Sequence, residues 1–196
     1  MKNNFIRLLL NPSIAINKLS WYIEKKHLLT VGRNVSLGCF FEIKGHEFIS
    51  IGDNVVAKNY LKLHAWNKYK KQRFEKNPDL VVGSNVSFGD NCYLTCANQI
   101  IIEDNVLMGD NVFIADNFHG HSSPGEVDIP PADREIWSKG GVRIESNVWL
   151  GRNVCVMPGV TIGYGSVIGA NSVVTKDIPA RCIAAGSPAK VIRKIE

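Results

Sequence analysis

Residues 144–175 read, in groups of six, IESNVW, LGRNVC, VMPGVT, IGYGSV, IGANSV and a closing VT. An aliphatic residue opens every group (Ile144, Leu150, Val156, Ile162, Ile168, Val174). A small or polar residue usually follows, and Val or Ser holds the fifth place. A period of six fits neither an amphipathic helix nor a strand alternating at two. It fits a short strand and a turn, repeated, so that one apolar side chain per unit always points the same way. Three such units bring the chain round once and lay it on the coil before, which makes a solenoid.

Working outward, the same anchors recur toward the N-terminus at Ile102, Met108 and Ile114, at Val82, Phe88 and Leu94, at Ile51, Ala57 and Leu63, and at Val31, Leu37 and Ile43. About six coils result. The step from Val31 to Ile51 is twenty residues, which predicts a two-residue bulge near Gly45–Glu47. Two longer excursions leave the scaffold. Residues 65–79 form an ejected loop with Lys68, Lys70, Lys71, Arg73 and Lys76 among Trp66, Tyr69 and Phe74, a mixture suited to solvent or to a sugar or phosphate. Residues 116–141 carry DNFHGHSSPGEVDIPPADREIWSKGG, an insertion of twenty-four residues beyond the eighteen of a regular coil. A rigid repeat that tolerates so long a loop is using it, because chemistry concentrates on loops held by a stiff scaffold.

The chain therefore divides into an N-terminal helical segment (1–30), a solenoid domain (31–178) and a C-terminal tail (179–196), with Ile183-Ala184-Ala185 as a last strand. Pro12 splits the first segment into a short apolar piece (Phe5, Ile6, Leu8, Leu9, Leu10) and a helix from about Ser13. In that helix Ile16, Leu19 and Ile23 share a face, and Leu28 extends the spacing. It reads first as a cap over the open end of the solenoid, whose terminal coil exposes strand edges. The second reading is a basic amphipathic segment on a membrane surface.

Lys and Arg number 23 against 18 Asp and Glu, a net charge of +5, in a chain 45% hydrophobic and 21% charged. The basic residues are scattered and lack an aromatic-basic motif, which argues against nucleic acid. An anionic ligand or a solvated surface fits the charge. The five cysteines (Cys39, Cys92, Cys96, Cys155, Cys182) form no CxxC pair and leave an odd one, as expected of free thiols in a reducing cytoplasm. Phe5–Leu10 is too short for a signal peptide and lacks a cleavage site, and no segment approaches the length of a spanning helix.

The coils, the loop bearing NFHG, and VWLGRNVCVMPGVTIGYGSVIGANSVVTKDIP followed by AAGSPAKVIR together resemble the hexapeptide-repeat acetyltransferases. The resemblance lies closest to the galactoside, maltose and colanic-acid branch and to the O-antigen and capsule sugar O-acetyltransferases. It covers residues 82–195 well and 31–65 in pattern only. It implies an all-β solenoid, a left-handed parallel β-helix, assembled as a homotrimer with acetyl-CoA in the groove between subunits and no metal. It places the general base on His119, with His121 as runner-up. A base is needed in any case, since a sugar hydroxyl is too poor a nucleophile to attack a thioester at neutral pH, and imidazole titrates near the working pH. No Cys or Ser stands beside His119 in a recognisable nucleophile arrangement, so direct attack is expected.

Carried over from the same resemblance are Asn91 as an acceptor contact, which could equally cap its turn, and Trp149 beside the pantetheine arm. Backbone donors at Gly151–Arg152 would face the thioester oxygen, Ala170, Thr175 and Lys176 would line the cofactor groove, and Lys190 and Arg193 would approach the adenine and its phosphate. Arg152 replaces a small residue common in relatives. The segment Thr95–Gln99 is shorter than in the galactoside branch and lacks its acceptor-binding carboxylate. Glu126, Asp128, Asp133 or a backbone carbonyl are the choices for orienting His119. The expected activity is acetyl transfer to a saccharide hydroxyl, in surface polysaccharide or glycan synthesis. The alternatives are an N-acetyltransferase acting on an amino-sugar nucleotide and an antibiotic acetyltransferase. More remote are a zinc carbonic anhydrase-like protein, drawing on His27, His46, His64, His119 and His121, and a non-catalytic assembly scaffold.

Overall fold

The computed structural model describes residues 12–121 and 123–196. From Thr30 the backbone runs through short strands that fall in turn on three sheets of six, eight and six strands. Apart from the last strand, all pairing within these sheets is parallel, so the chain is a three-sided parallel β-helix.

The register shows how the six-residue period builds it. Along the first sheet Val31, Ile51, Val82, Ile102, Ile144 and Ile162 lie directly on one another. Along the second, Leu37, Ala57, Phe88, Met108, Leu150, Ile168 and Ala184 do so. The third stacks Ile43, Leu63, Leu94, Ile114, Val156 and Val174. All these anchors are buried except the half-buried Val31, and they form one continuous core column. Fifth-place residues such as Val86, Val106, Val148 and Val154 fill the corners between the columns. Because each anchor packs against the coil above and below, trimming one methylene leaves a void with nowhere to collapse. Ile162→Val is expected to cost about 0.5–1.5 kcal/mol, read as a lower urea midpoint at unchanged slope.

The corners need left-handed backbone, which Asn and Gly tolerate best. Asn34, Asn54, Asn85 and Asn105 adopt positive φ at one corner, and Asn91, Asn111, Asn153 and Asn171 at another. Their amides form ladders. Nδ2 of Asn34, Asn54 and Asn85 each donates to Oδ1 of the next asparagine at 3.0–3.2 Å. The second ladder runs from Asn91 through Asn111 and Asn153 to Asn171 at 3.1, 2.9 and 2.8 Å. At Gly151 the constraint is space, since an added Cβ would lie 2.7 Å from the Ala170 nitrogen on the adjoining coil.

The bulge near Gly45 takes the form of a 3-10 turn, His46–Phe48, entered through Gly45 at φ 72°. The tail belongs to the solenoid: Cys182–Gly186 extends the second sheet beside Val167–Ile168, and Ala189–Lys194 folds back antiparallel on it. Cys182 and Ala184 are buried in the same core.

The helix α1 spans Pro12–Glu24. It lies on the first coil, but the row Ile16, Leu19 and Ile23 faces away from it. The inward side carries Asn17, whose Nδ2 donates to the Leu37 carbonyl at 3.0 Å, and Trp21, whose Nε1 donates to the Val35 carbonyl at 3.2 Å. Trp21 also packs edge-on against Phe41. An open end of a β-helix offers unpaired carbonyls, so polar and aromatic donors suit it better than aliphatic side chains. That is why the aliphatic row is turned outward. The apolar piece Phe5–Leu10 lies outside the described residues.

Candidate active site

Both excursions fold back on the third sheet and meet there. The insertion begins at Asp116, which is fully buried. Its carboxylate accepts the N–H of Ala97 at 2.7 Å and of Asn98 at 2.9 Å, and the Nδ2 of Asn117 at 2.9 Å. Asn117 also donates to the Thr95 carbonyl at 2.9 Å. These bonds satisfy a buried charge without a cation and set the direction in which the next residues leave the scaffold. Phe118–His119 then pairs antiparallel with Ile136–Trp137, and Phe118 stacks on Trp137 with centroids 6.0 Å apart.

The ejected loop forms a hairpin, Lys68–Tyr69 against Gln72–Arg73, that docks on this strand pair. The Gln72 side chain acts as a surrogate peptide group. Its Nε2 donates to the Ile136 carbonyl at 2.9 Å, and its Oε1 accepts the Ile136 N–H at 2.7 Å. The Tyr69 hydroxyl donates to the Ala132 carbonyl at 2.8 Å, and Lys70 pairs with Asp133 at 2.5 Å. So fixed, the Tyr69 ring stands edge-on to the His119 imidazole at 5.2 Å.

His119 is exposed at a cavity of about 130 Å³ lined also by Trp66, Tyr69, Tyr93, Thr95, Asn117 and Ile136. The wall opposite the loops comes from outward positions of the third sheet. Trp66 Nε1 donates to Thr95 Oγ1 at 3.2 Å, and the Tyr93 hydroxyl lies 3.1 Å from His64 Nδ1. Burial holds the His64 imidazole below the ordinary histidine value, against the pull of Glu42, whose Oε1 stands 3.5 Å from Nε2. Nε2 of this ring is buried and makes no hydrogen bond among the described residues, and the ring's one such partner is the Tyr93 hydroxyl at Nδ1. The phenol hydroxyl keeps a second hydrogen-bonding position for whatever fills the cavity.

His121 does not line this cavity; its ring lies 4.6 Å from Trp137 and its N–H donates to Glu126 at 2.7 Å. Of the carboxylates considered as orienters of His119, Glu126 is engaged by the His121 and Ser123 N–H groups and Asp133 by Lys70. Asn91 also stands apart from this cavity, at the corner in the amide ladder. Tyr93, two residues on, is the one that reaches the cavity. Sequence reading placed Trp66 and Tyr69 in a loop suited to a sugar or a phosphate, and missed Tyr93, Thr95 and Asn117. The one available signal was that third-sheet strands alternate, placing Tyr93 and Thr95 on the outer face between the buried Leu94 and its neighbours.

The residues expected to hold the cofactor lie elsewhere. Trp149 stands exposed on the second sheet; Arg152 and Ala170 sit at the corner after it, and Lys190 and Arg193 on the terminal hairpin. Only Thr175 and Lys176 share the corner between third and first sheets from which the His119 loop departs. In a three-sided column that corner is opposite the second sheet. Neither Trp149 nor Arg152 is among the residues lining the His119 cavity of the same copy. The Gly151 N–H donates to the Ile168 carbonyl at 2.8 Å as part of the sheet ladder, so it is not available for an oxyanion. The Arg152 side chain extends toward Asp110 at 4.0 Å.

A family model described as bacterial transferase hexapeptide (six repeats) matches residues 141–176. WbbJ of Escherichia coli (strain K12), named for O-acetyl transfer in lipopolysaccharide biosynthesis, is 34% identical over 166 residues, 83% of this chain and 79% of that protein. The chain belongs to the hexapeptide-repeat acetyltransferases. A protein of Schizosaccharomyces pombe named as an acetyltransferase is 44% identical over 112 residues, 57% of this chain; the match spans 48% of its length, about half. The solved structure of galactoside acetyltransferase in complex with coenzyme A is 30% identical, with a TM-score of 0.59, covering 89% of this chain and 69% of that one.

Within this hexapeptide-repeat acetyltransferase the thiols near the site are inert. Burial pushes Cys92 up to about 11 and drives Cys96, which also faces Asp116, further in the same direction. Neither supplies a thiolate at neutral pH. Among the described residues no three His, Cys, Asp or Glu side chains gather in metal-binding geometry.

Proposed function

We propose that the protein is an acetyl-CoA-dependent O-acetyltransferase acting on a saccharide hydroxyl, in surface polysaccharide or glycan synthesis, with His119 as general base. The observation that carries this reading is the cavity at His119. Aromatic faces from Trp66, Tyr69 and Tyr93 suit the apolar side of a sugar ring, while Tyr93, Thr95 and Asn117 supply polar partners for hydroxyls. His119 takes the hydroxyl proton as the oxygen attacks the acetyl carbonyl. The tetrahedral intermediate collapses with cleavage of the C–S bond, and the departing thiolate of coenzyme A takes the proton from the imidazolium to leave as the thiol.

The coenzyme lies between copies of the chain in a homotrimer. Supporting this are the trimer that the family implies and the place of Trp149 on the second sheet, outside the His119 cavity. Thr175 and Lys176 line the loop side of that seam, and Lys190 and Arg193 serve the phosphates from the terminal hairpin. The solenoid together with its terminal hairpin forms the catalytic domain, left-handed as the family implies, and the enzyme works in the cytoplasm.

The reading is tested by incubating the protein with acetyl-CoA and a panel of acceptors while following thiol release. Acetyl ester formed on a hydroxyl sugar supports it. Transfer confined to the amine of an amino-sugar nucleotide or of an antibiotic overturns the O-transfer assignment. Tyr93→Phe removes one hydrogen-bonding hydroxyl from the cavity and leaves the ring. It is expected to raise the acceptor KM about 2–10-fold, the effect of one neutral hydrogen bond, with kcat and the acetyl-CoA KM nearly unchanged.

A further inference from the structure

The aliphatic row of α1 is left unpartnered by the fold. Ile16 is 68% exposed, Leu19 62%, Tyr22 54% and Ile23 51%, although the helix is firmly seated through Asn17, Trp21 and the pair between Glu24 and His46. The patch continues onto the solenoid, where Ile16 borders a groove with Phe40 and Phe41, and the exposed Phe40 stacks on Tyr60 at 5.2 Å.

The rim of this patch is cationic. Lys18 and Lys26 are exposed on α1 and just beyond it, and Lys25 follows Glu24 directly. Lys25 Nζ and Lys26 Nζ lie 5.4 and 4.3 Å from the centre of the Tyr22 ring, which stands between the aliphatic row and the charges. The only carboxylate in the helix, Glu24, is turned inward to His46. The outward side thus grades from aliphatic through an amphipathic ring to ammonium groups, with no anion among them. A second copy of this chain placed face to face here would set lysine against lysine. A lipid surface with anionic headgroups complements both parts, since aliphatic side chains enter the acyl boundary and ammonium groups meet phosphates. Among the described residues no helix is long and apolar enough to cross a membrane, so contact would be in the plane of the surface.

We propose that α1 docks the protein on an anionic lipid surface, with Ile16, Leu19 and Ile23 in the acyl boundary, Tyr22 at headgroup level and Lys18, Lys25 and Lys26 on the phosphates. This docking is independent of the acetyl-transfer reading and survives or fails without it.

The test is co-sedimentation of the full-length chain with vesicles of phosphatidylglycerol mixed into phosphatidylcholine, beside vesicles of phosphatidylcholine alone. The wild type is expected to pellet with the anionic vesicles, at least tenfold more than with the neutral ones, and to be released by salt. Leu19→Glu/Ile23→Glu is expected to stay in the supernatant while keeping the far-ultraviolet dichroism and the solution mass of the wild type. Lys25→Glu/Lys26→Glu is expected to lose the preference for anionic vesicles. Wild type remaining in the supernatant, or Leu19→Glu/Ile23→Glu pelleting as the wild type does, overturns the proposal. So does a fall in solution mass for Leu19→Glu/Ile23→Glu without vesicles, which would show that copies of the chain cover the face.

Discussion

His119→Ala is expected to lower kcat/KM for acetyl transfer by about 10²–10⁴-fold, the usual contribution of a positioned general base. The loss should fall mainly on kcat, because the imidazole acts on the proton in flight and adds little to the binding of either substrate. The side chain is exposed and its contacts are one aromatic neighbour, Tyr69, and the cavity, so the substitution leaves the core untouched and thermal stability close to the wild type. His121→Ala, which removes a ring lying on Trp137 outside the cavity, should stay within a few-fold of the wild type. The comparison is made by thiol release at saturating acceptor. Undiminished transfer by His119→Ala would remove the base assignment and leave the β-helix standing.

The second large effect is structural and reaches the site indirectly. Asp116→Ala strips the hydrogen-bond acceptor from the N–H groups of Ala97 and Asn98 and from the Asn117 amide in a place closed to solvent. A buried donor left without a partner costs about 1–3 kcal/mol, so two backbone donors cost about 2–6 kcal/mol together. Because Asp116 and Asn117 also fix the departure of Phe118–His119, activity should fall with stability, and the substrate KM values should rise. Asp116→Asn keeps one acceptor oxygen and is expected to lie between the two. Urea unfolding and steady-state kinetics on the same preparations check both parts. A stability within about 1 kcal/mol of the wild type would show that water or relaxation replaces the carboxylate.

The column of the solenoid was legible because one aliphatic side chain every six residues suffices to specify it. Ile144, Leu150, Val156, Ile162, Ile168 and Val174 are each wholly buried, in the order the repeat demands. The same arithmetic located both excursions. What they build was not legible. Gln72 and Ile136 meet across sixty-four residues, and Tyr69 meets His119 only because that docking occurs. Such contacts depend on how two loops fold onto a sheet face, which leaves no periodic trace. Asp116, read as the first residue of a polar loop, proves to be wholly buried because a carboxylate can be satisfied by backbone N–H groups that no sequence pattern announces. The helix shows the opposite error: Ile16, Leu19 and Ile23 share a face as their spacing requires, but spacing does not say which side of a helix the scaffold receives. The corner Asn91 is held in a ladder, and the outward Tyr93 two positions later faces the cavity.

The central claim is that His119 of one copy works on a coenzyme held against a neighbouring copy. Mixing two inactive chains tests it most directly. His119→Ala lacks the base and Ala170→Trp fills the corner expected to admit the pantetheine, so neither should transfer acetyl alone. After joint refolding, with hybrid oligomers confirmed by native mass spectrometry, some seams contain a wild-type loop facing a wild-type corner. Recovery of a substantial fraction of wild-type thiol release is the predicted result; hybrids that form and remain as inactive as the separate variants would contradict it.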